Sequence, residues 1–271
     1  MKTHKSVILN SHHRSGIRVM CQFGAILLLG LIPSALQAVS RSLPTAERIF
    51  EDYVIATGGR GAYEKIQNRI TKSKIELPAM GISMTMTIYQ EKPNKSYIVQ
   101  ESAATGKTES GTDGFVAWQN SAMTGPQLKR DSEKADVINA STMDRFTYWR
   151  TAYQSAACTG LKDVNGRPCY VVVAVPVGNG SPQTLFFDKV SKLLVKVAAT
   201  VKSPMGSIRL ESELSDYRKV DGILLPHTTR VTYVDMKREL LFTVVNYEHN
   251  SDIPATRFQA PSEIKALAKI H

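Results

Sequence analysis

From Ile82 to Tyr89 the chain alternates without a break. Ile82, Met84, Met86 and Ile88 fall on one side, and Ser83, Thr85, Thr87 and Tyr89 on the other. That period of two predicts a strand with one apolar face. The stretch before it has a different rhythm. Ala46, Ile49, Phe50, Tyr53 and Val54 recur at helical spacing after Pro44-Thr45, and Gly58-Gly59 ends the run. A short second helix is expected over Ala62 to Gln67, and the period-two pattern begins at Arg69.

Turn residues divide the chain beyond Tyr89. Pro93-Asn94-Lys95 and Gly111-Thr112-Asp113-Gly114 bracket a strand from Tyr97 to Glu101 and lead into Phe115-Val116-Ala117-Trp118. Between Gly125 and Tyr153 the alternation stops. Pro126 opens a polar loop there, and helices are expected over Asp131–Ala140 and Thr142–Tyr153, the second carrying Met143, Phe146 and Trp149. Strands resume over 156–164, 168–176, 183–188, 193–202, 206–218, 222–235 and 238–248, and Ser262–Ala268 is expected as a short terminal helix. No strand–helix–strand alternation appears, which argues against a parallel sheet. The expectation is an α+β fold with about ten antiparallel strands, enough to curl into a partial or full barrel.

The first 40 residues are of another kind. Lys2, Lys5, Arg14 and Arg18 occur there without one acidic residue, followed by the apolar run Phe23–Ile32 and the small-residue stretch Ser34–Ser40. This is the layout of a secretory signal peptide, with cleavage expected between residues 38 and 40. The apolar run is too short for a span of about 20 residues. Cys21 lies before that run, where a lipid-bearing cysteine would follow it. The expected mature domain is 41–271, a single unit in the periplasm.

Removing the leader changes the charge. The formal +10 of the 271 residues falls by four to +6. The basic residues that remain, such as Lys72, Lys95, Lys129 and Arg238, are scattered. Nucleic-acid binding needs a concentrated basic footprint, so no nucleic acid is expected.

Catalytic signatures are sparse. The mature part holds His227, His249 and His271, at no metal-ligand spacing, and no C-x-x-C pair. No G-x-S-x-G elbow occurs. Gly58-Gly59-Arg60-Gly61 follows a helix and lacks the Lys-Ser/Thr ending of a phosphate loop. No cofactor, metal or catalytic set is therefore expected; Asp216 and His227 are the residues a hydrolase reading would invoke. Cys158 and Cys169 flank the hairpin signal Asn165-Gly166. In the simplest register Cys169 faces Lys162 and Cys158 lies four residues further on, too far for a disulfide without a bulge. A bridge and two free thiols both stay open.

Binding chemistry is the stronger lead. A curved sheet with an apolar inner face under a helix suits a hydrophobic ligand, and methionines adapt to varied apolar partners. The candidate lining is Met84, Met86, Ile88, Tyr97, Val99, Phe115, Phe146, Trp149, Phe187, Leu210 and Phe242, with the mid-chain helices as a lid.

A set of ordered segments carries a family resemblance. They are Pro44-Thr45-Ala46-Glu47 with Ala56-Thr57-Gly58-Gly59, Pro93-Asn94-Lys95-Ser96-Tyr97, Gly111-Thr112-Asp113-Gly114 with Ala117-Trp118, and Val164-Asn165-Gly166-Arg167-Pro168-Cys169-Tyr170. Phe187-Asp188, Ser215-Asp216-Tyr217 through Asp221-Gly222 with Leu225-Pro226, and Glu248-His249-Asn250 through Pro254 complete it. In this order the chain resembles the LolA/LolB-like outer membrane lipoprotein-sorting proteins, in their broad branch. The resemblance implies an unclosed β-barrel with helices over its concave side and a cavity for an acyl chain. It also implies an exported, monomeric carrier or sensor of a lipid or acylated protein, in transient contact with a membrane or an envelope protein. A regulatory protein-binding module is the alternative, and an envelope lipid hydrolase a lesser one.

Overall fold

The computed structural model describes residues 42–203 and 206–269. The expected leader and its cleavage zone lie outside the described residues. Helix α1 (Ala46–Ala56) is capped by Thr45, whose hydroxyl accepts the Arg48 N–H at 3.2 Å, and Glu47 sits in its first turn. Its apolar stripe of Ala46, Ile49, Phe50 and Val54 is buried. Gly58 ends it in a backbone conformation of φ 134°, pressed against the turn at residue 222. A β-carbon there would lie 2.4 Å from the Gly222 carbonyl oxygen, so only glycine fits. Helix α2 (Arg60–Glu64) comes next, a little earlier than the pattern predicts.

The strands then run in chain order. The first six are β1 (Asn68–Leu77), β2 (Ile82–Glu91), β3 (Lys95–Ser102), β4 (Gly106–Thr112), β5 (Ala117–Ser121) and β6 (Gly125–Lys129). Helices α3 (Asp131–Ser141) and α4 (Trp149–Ala152) interrupt them. The second set is β7 (Tyr153–Val164), β8 (Arg167–Pro176), β9 (Gln183–Asp188), β10 (Leu194–Ser203), β11 (Gly206–Val220), β12 (Ile223–Tyr233) and β13 (Arg238–His249), before α5 (Ser262–Lys269).

The 13 strands of the described residues form one curved antiparallel sheet in the order β6-β5-β4-β3-β2-β1-β13-β12-β11-β10-β9-β8-β7. Each set is a simple meander, and β1 and β13 join the two. The edges, β6 and β7, are neighbours in sequence but do not pair. The segment carrying α3 and α4 connects them across the open seam of an unclosed barrel. The α+β expectation of a curved antiparallel sheet with a helical insert holds.

Three local expectations need correction. The strands number 13, not about ten, because β4 and β6 lack apolar alternation. Pro126, expected in a loop, sits in β6, where an edge strand tolerates the missing N–H. The stretch expected as a helix from Thr142 to Tyr153 is helical only from Trp149 to Ala152. Asp144, at φ 52°, breaks it.

The hairpin at Asn165-Gly166 has both residues at positive φ, 53° and 78°, as a tight two-residue turn requires. It pairs Lys162 with Cys169, as the simple register predicts, and Cys158 with Val172. A bulge between Cys158 and Gly160 is present, yet both thiols are free. The two cysteines pack into different apolar clusters, Cys158 against the main core and Cys169 among Val164, Val171, Phe186 and Val195. The disulfide alternative therefore falls. Burial, aided by the Asp188 charge, pushes the Cys169 thiol up to about 11, away from thiolate chemistry.

The main core lies where α1 packs on the second meander. Phe50, fully buried, has ring neighbours Phe146 at 5.2 Å, Phe187 at 5.8 Å, Trp149 at 5.9 Å and Tyr153 at 6.0 Å. Val172, Leu185, Ile223 and Leu225 form its floor. Helix α5 sits with β3–β6, burying Trp118, Ala260 and Ile264 together.

Candidate ligand-binding site

Residues paired across neighbouring strands share a face of the sheet. Met84 pairs with Ile75, and Ile75 with Phe242, giving one apolar row across β2, β1 and β13. Met86 pairs with Ser73 and Ile88 with Thr71, one and two steps further along the same face. Phe242 pairs with Thr229, and Thr229 with Leu214, which packs against the main core. Leu210 lies four residues from Leu214 on the same side of β11 and pairs with Tyr233. The face bearing Met84, Met86, Ile88, Leu210 and Phe242 is thus the face that carries α1 and α3, while α5 covers the other. Apart from Ile75 and the buried Ser73 and Thr71, these side chains are only half-buried. They make a half-buried apolar strip beside the packed core, the floor of the proposed trough.

The other sequence-derived candidates are placed elsewhere. Val99 pairs with Thr87, and Tyr97 with Tyr89, so both point to the opposite face. Tyr97 packs there with Trp118 and donates its hydroxyl hydrogen to Glu109. Phe115 is 79% exposed, at a turn where Asp113 accepts its N–H. Phe146, Phe187 and Trp149 belong to the aromatic core around Phe50; of the three, Phe146 also reaches the small cavity beside Arg69. Asp216 and His227 do not meet. Asp216 forms a two-point ion pair with Arg218 at 2.9 and 2.6 Å, while the His227 ring nitrogen Nδ1 lies 3.0 Å from the Leu225 carbonyl.

A polar cluster that sequence pattern does not announce closes one end of the trough. Arg69 pairs with Gln90 and with His249, so it occupies the trough face at the start of β1. Its Nε donates to His249 Nε2 at 3.0 Å, and His249 Nδ1 donates to Asp221 at 2.9 Å. The His249 side chain is only 2% exposed. Burial, more than its carboxylate neighbour, sets its basicity and holds it below the ordinary histidine value. The neutral ring in this tautomer fits both contacts. Across from Arg69, the Asp144 side chain is also 2% exposed; Lys92 Nζ stands 3.0 Å from its Oδ2, and Arg69 Nη2 4.0 Å from its Oδ1. Lys92 also donates to the Tyr63 carbonyl at 2.7 Å.

Two cavities frame this region. The larger, about 600 Å³, is a cleft along α3 lined by Pro93, Ala135, Ile138, Asn139 and Val177 among others. The smaller, about 230 Å³, lies among Arg69, Gln90, Asp144, Arg145, Thr147 and Leu214. Gln90 and Leu214 place it at the head of the trough.

Comparison with known proteins bears on the architecture. By structure the chain is similar to a LolA superfamily protein from Nitrosomonas europaea, with a TM-score of 0.56 and 11% identity over 80% of this chain and 99% of that one. It is likewise similar to a DUF1329 family protein from Desulfovibrio piger, with a TM-score of 0.54 and 13% identity over 79% and 96%. No family model and no curated protein matches the sequence. At such identities the likeness is one of fold, and the fold is the LolA-like unclosed barrel.

Proposed function

We propose that this protein is an exported carrier or sensor that shelters a lipid or protein-borne acyl chain in its half-barrel. The observation that carries the reading is the apolar row in which Met84 and Phe242 stand half-buried on either side of the buried Ile75, extended by the half-buried Met86, Ile88 and Leu210. Such a face, on the concave side of a sheet that does not close, is costly to leave in water. Each methylene of a chain laid on it contributes about 0.8 kcal/mol. The leader-like residues 1–40 support export, and the mildly basic mature surface supports brief contact with anionic membranes. Its fold is shared with a LolA superfamily protein, which supports the same reading.

The test is native mass spectrometry of protein purified from membranes, together with titration by a fluorescent fatty acid. The expected result is a co-purified lipid that the probe displaces. Absence of lipid together with failure to take up the probe overturns the reading. A stoichiometric protein partner without lipid would instead make the chain a regulatory binding module.

A further inference from the structure

Among the described side chains, four buried polar atoms have no hydrogen-bond partner: Arg69 Nη2, Asp144 Oδ2, Thr147 Oγ1 and Trp118 Nε1. Asp144 Oδ2 is met by the Lys92 ammonium at 3.0 Å, which leaves Arg69 Nη2 and Thr147 Oγ1 as the two unpartnered donors on the lining of the 230 Å³ cavity at the head of the trough. Buried polar groups normally find partners, so their concentration in one cavity marks a place built to be filled. Charge indicates by what. Arg69 and Arg145 line the cavity, and Lys92 stands behind it. The carboxylate facing them, Asp144, is already held by Lys92 in an ion pair at 3.0 Å. Arg69 Nη2 is 4.0 Å from it, too far to hydrogen-bond. Arg145 pairs with no carboxylate among the described residues; its guanidinium lies 5.7 Å from the Phe146 ring centre. The cavity therefore offers two guanidinium groups and the Thr147 hydroxyl, with an excess of positive charge.

We infer that this cavity is the head-group end of the trough and takes an acidic head, a carboxylate or a phosphate, on a single acyl chain. The inference rests on the acyl-chain reading of the trough and gives that site a direction. Along β1 the residues on this face run Arg69, Thr71, Ser73, Ile75, Leu77, and along β2 they run Gln90, Ile88, Met86, Met84, Ile82. Polarity declines steadily from one end to the other. At about 3.4 Å per residue this path is roughly 27 Å long, enough for one extended chain with its head at Arg69. The anion receives hydrogen bonds from Arg69 Nη2, Arg145 and Thr147, while Lys92 neutralises Asp144 and so removes the repulsion it would exert.

The experiment compares three probes of equal chain length, hexadecanoic acid, hexadecyl phosphate and hexadecanol, by displacement of a fluorescent fatty acid from the full chain. The acid or the phosphate is expected to bind at least about tenfold tighter than the alcohol, the scale of a charge-assisted hydrogen bond. Whichever anion binds more tightly identifies the head as fatty-acid-like or phospholipid-like. Arg145→Gln should lower anion affinity about tenfold and leave the alcohol unchanged, with Arg145→Lys restoring part of the loss. Thr147→Val should act in the same direction by a smaller factor. Equal binding of alcohol and anions, unmoved by Arg145→Gln, overturns the head-group assignment while leaving the trough intact. Failure of all three probes overturns the trough itself.

Discussion

The two meanders use their inner faces differently. Under β7–β10 the face is filled by protein. Phe50 of α1, Phe146 and Trp149 of the insert, and Tyr153 and Phe187 interlock with ring centres 5–6 Å apart. Under β1 and β2, extending to β13, the face has a buried floor at Ile75 but leaves Met84, Met86 and Phe242 half-buried. The first region uses rigid aromatic side chains with few rotamers and the second uses flexible thioethers. Tight packing concentrates stability in the first, and the second keeps the adaptable apolar surface that the proposed binding calls for.

The sharpest way to break this contrast is a truncation in the packed half. Phe50→Ala should cost about 3–5 kcal/mol. Thermal unfolding should show it as a fall of roughly 2–4 °C per kcal/mol. A loss comparable to that of a surface substitution would show that the aromatic cluster is not the stabilising centre. Next comes the polar seam between the regions. Asp144→Asn leaves the half-buried Lys92 without its carboxylate partner, holding only the Tyr63 carbonyl, and should cost about 2–3 kcal/mol in chemical denaturation. An unchanged unfolding midpoint would show that the seam contributes nothing to stability.

In the trough the effect should move from stability to binding. Met84→Ser with Met86→Ser should cost only about 1 kcal/mol each yet weaken uptake of a fluorescent fatty acid severalfold. Large destabilisation with unchanged uptake would reverse the assignment of the two regions. The smallest effect concerns pH. His249 has a depressed basicity in the folded state, so the unfolded chain binds the extra proton first. Its contribution to stability is complete above the unfolded value of about 6.5 and is lost as pH falls below it. His249→Gln should flatten the decline in unfolding midpoint between pH 7.5 and 5; an identical slope in wild type and variant would assign that decline to other groups.

Much of the fold was legible in particular residues. The alternation from Ile82 to Ile88 located β2 and its inner face, and Asn165-Gly166 located the β7–β8 turn and its register. Strands β4 and β6 were hidden because Gly106–Thr112 and Gly125–Lys129 show no apolar periodicity. Helix α3, linked to β3 by the Ser96–Ser141 hydrogen bond, and helix α5 supply cover that the strands' own sequences do not advertise. The helix expected through residues 142–153 failed because Asp144 is drawn to Lys92, a long-range attraction invisible to spacing. Tyr97 and Val99 were misplaced because the face of β3 depends on its pairing with β2, and both patterns alternate. The small cavity beside Arg69 was not legible because it joins Arg69, Gln90 and Leu214 to residues 144–147, which are far apart in sequence. One local signal existed: Arg69 shares a strand face with Thr71, Ser73 and the fully buried Ile75, a charge where the period calls for an inward side chain.

The strand order has a consequence for how the chain acquires its shape. Within each meander every ladder joins neighbours in sequence, so those hairpins close over short loops. The β1–β13 ladder is the exception, bringing Arg69 to His249 across 180 residues. Loop-closure entropy makes such a contact slow to form. Synthesis must reach β13 before the two meanders can be joined. Until then β1 presents an unpaired edge with an apolar inner face, the kind of surface that invites misassembly. A circular permutant opened within the insert and joined at the ends would make the β1–β13 contact local, and it should refold faster than the natural order while keeping the same sheet.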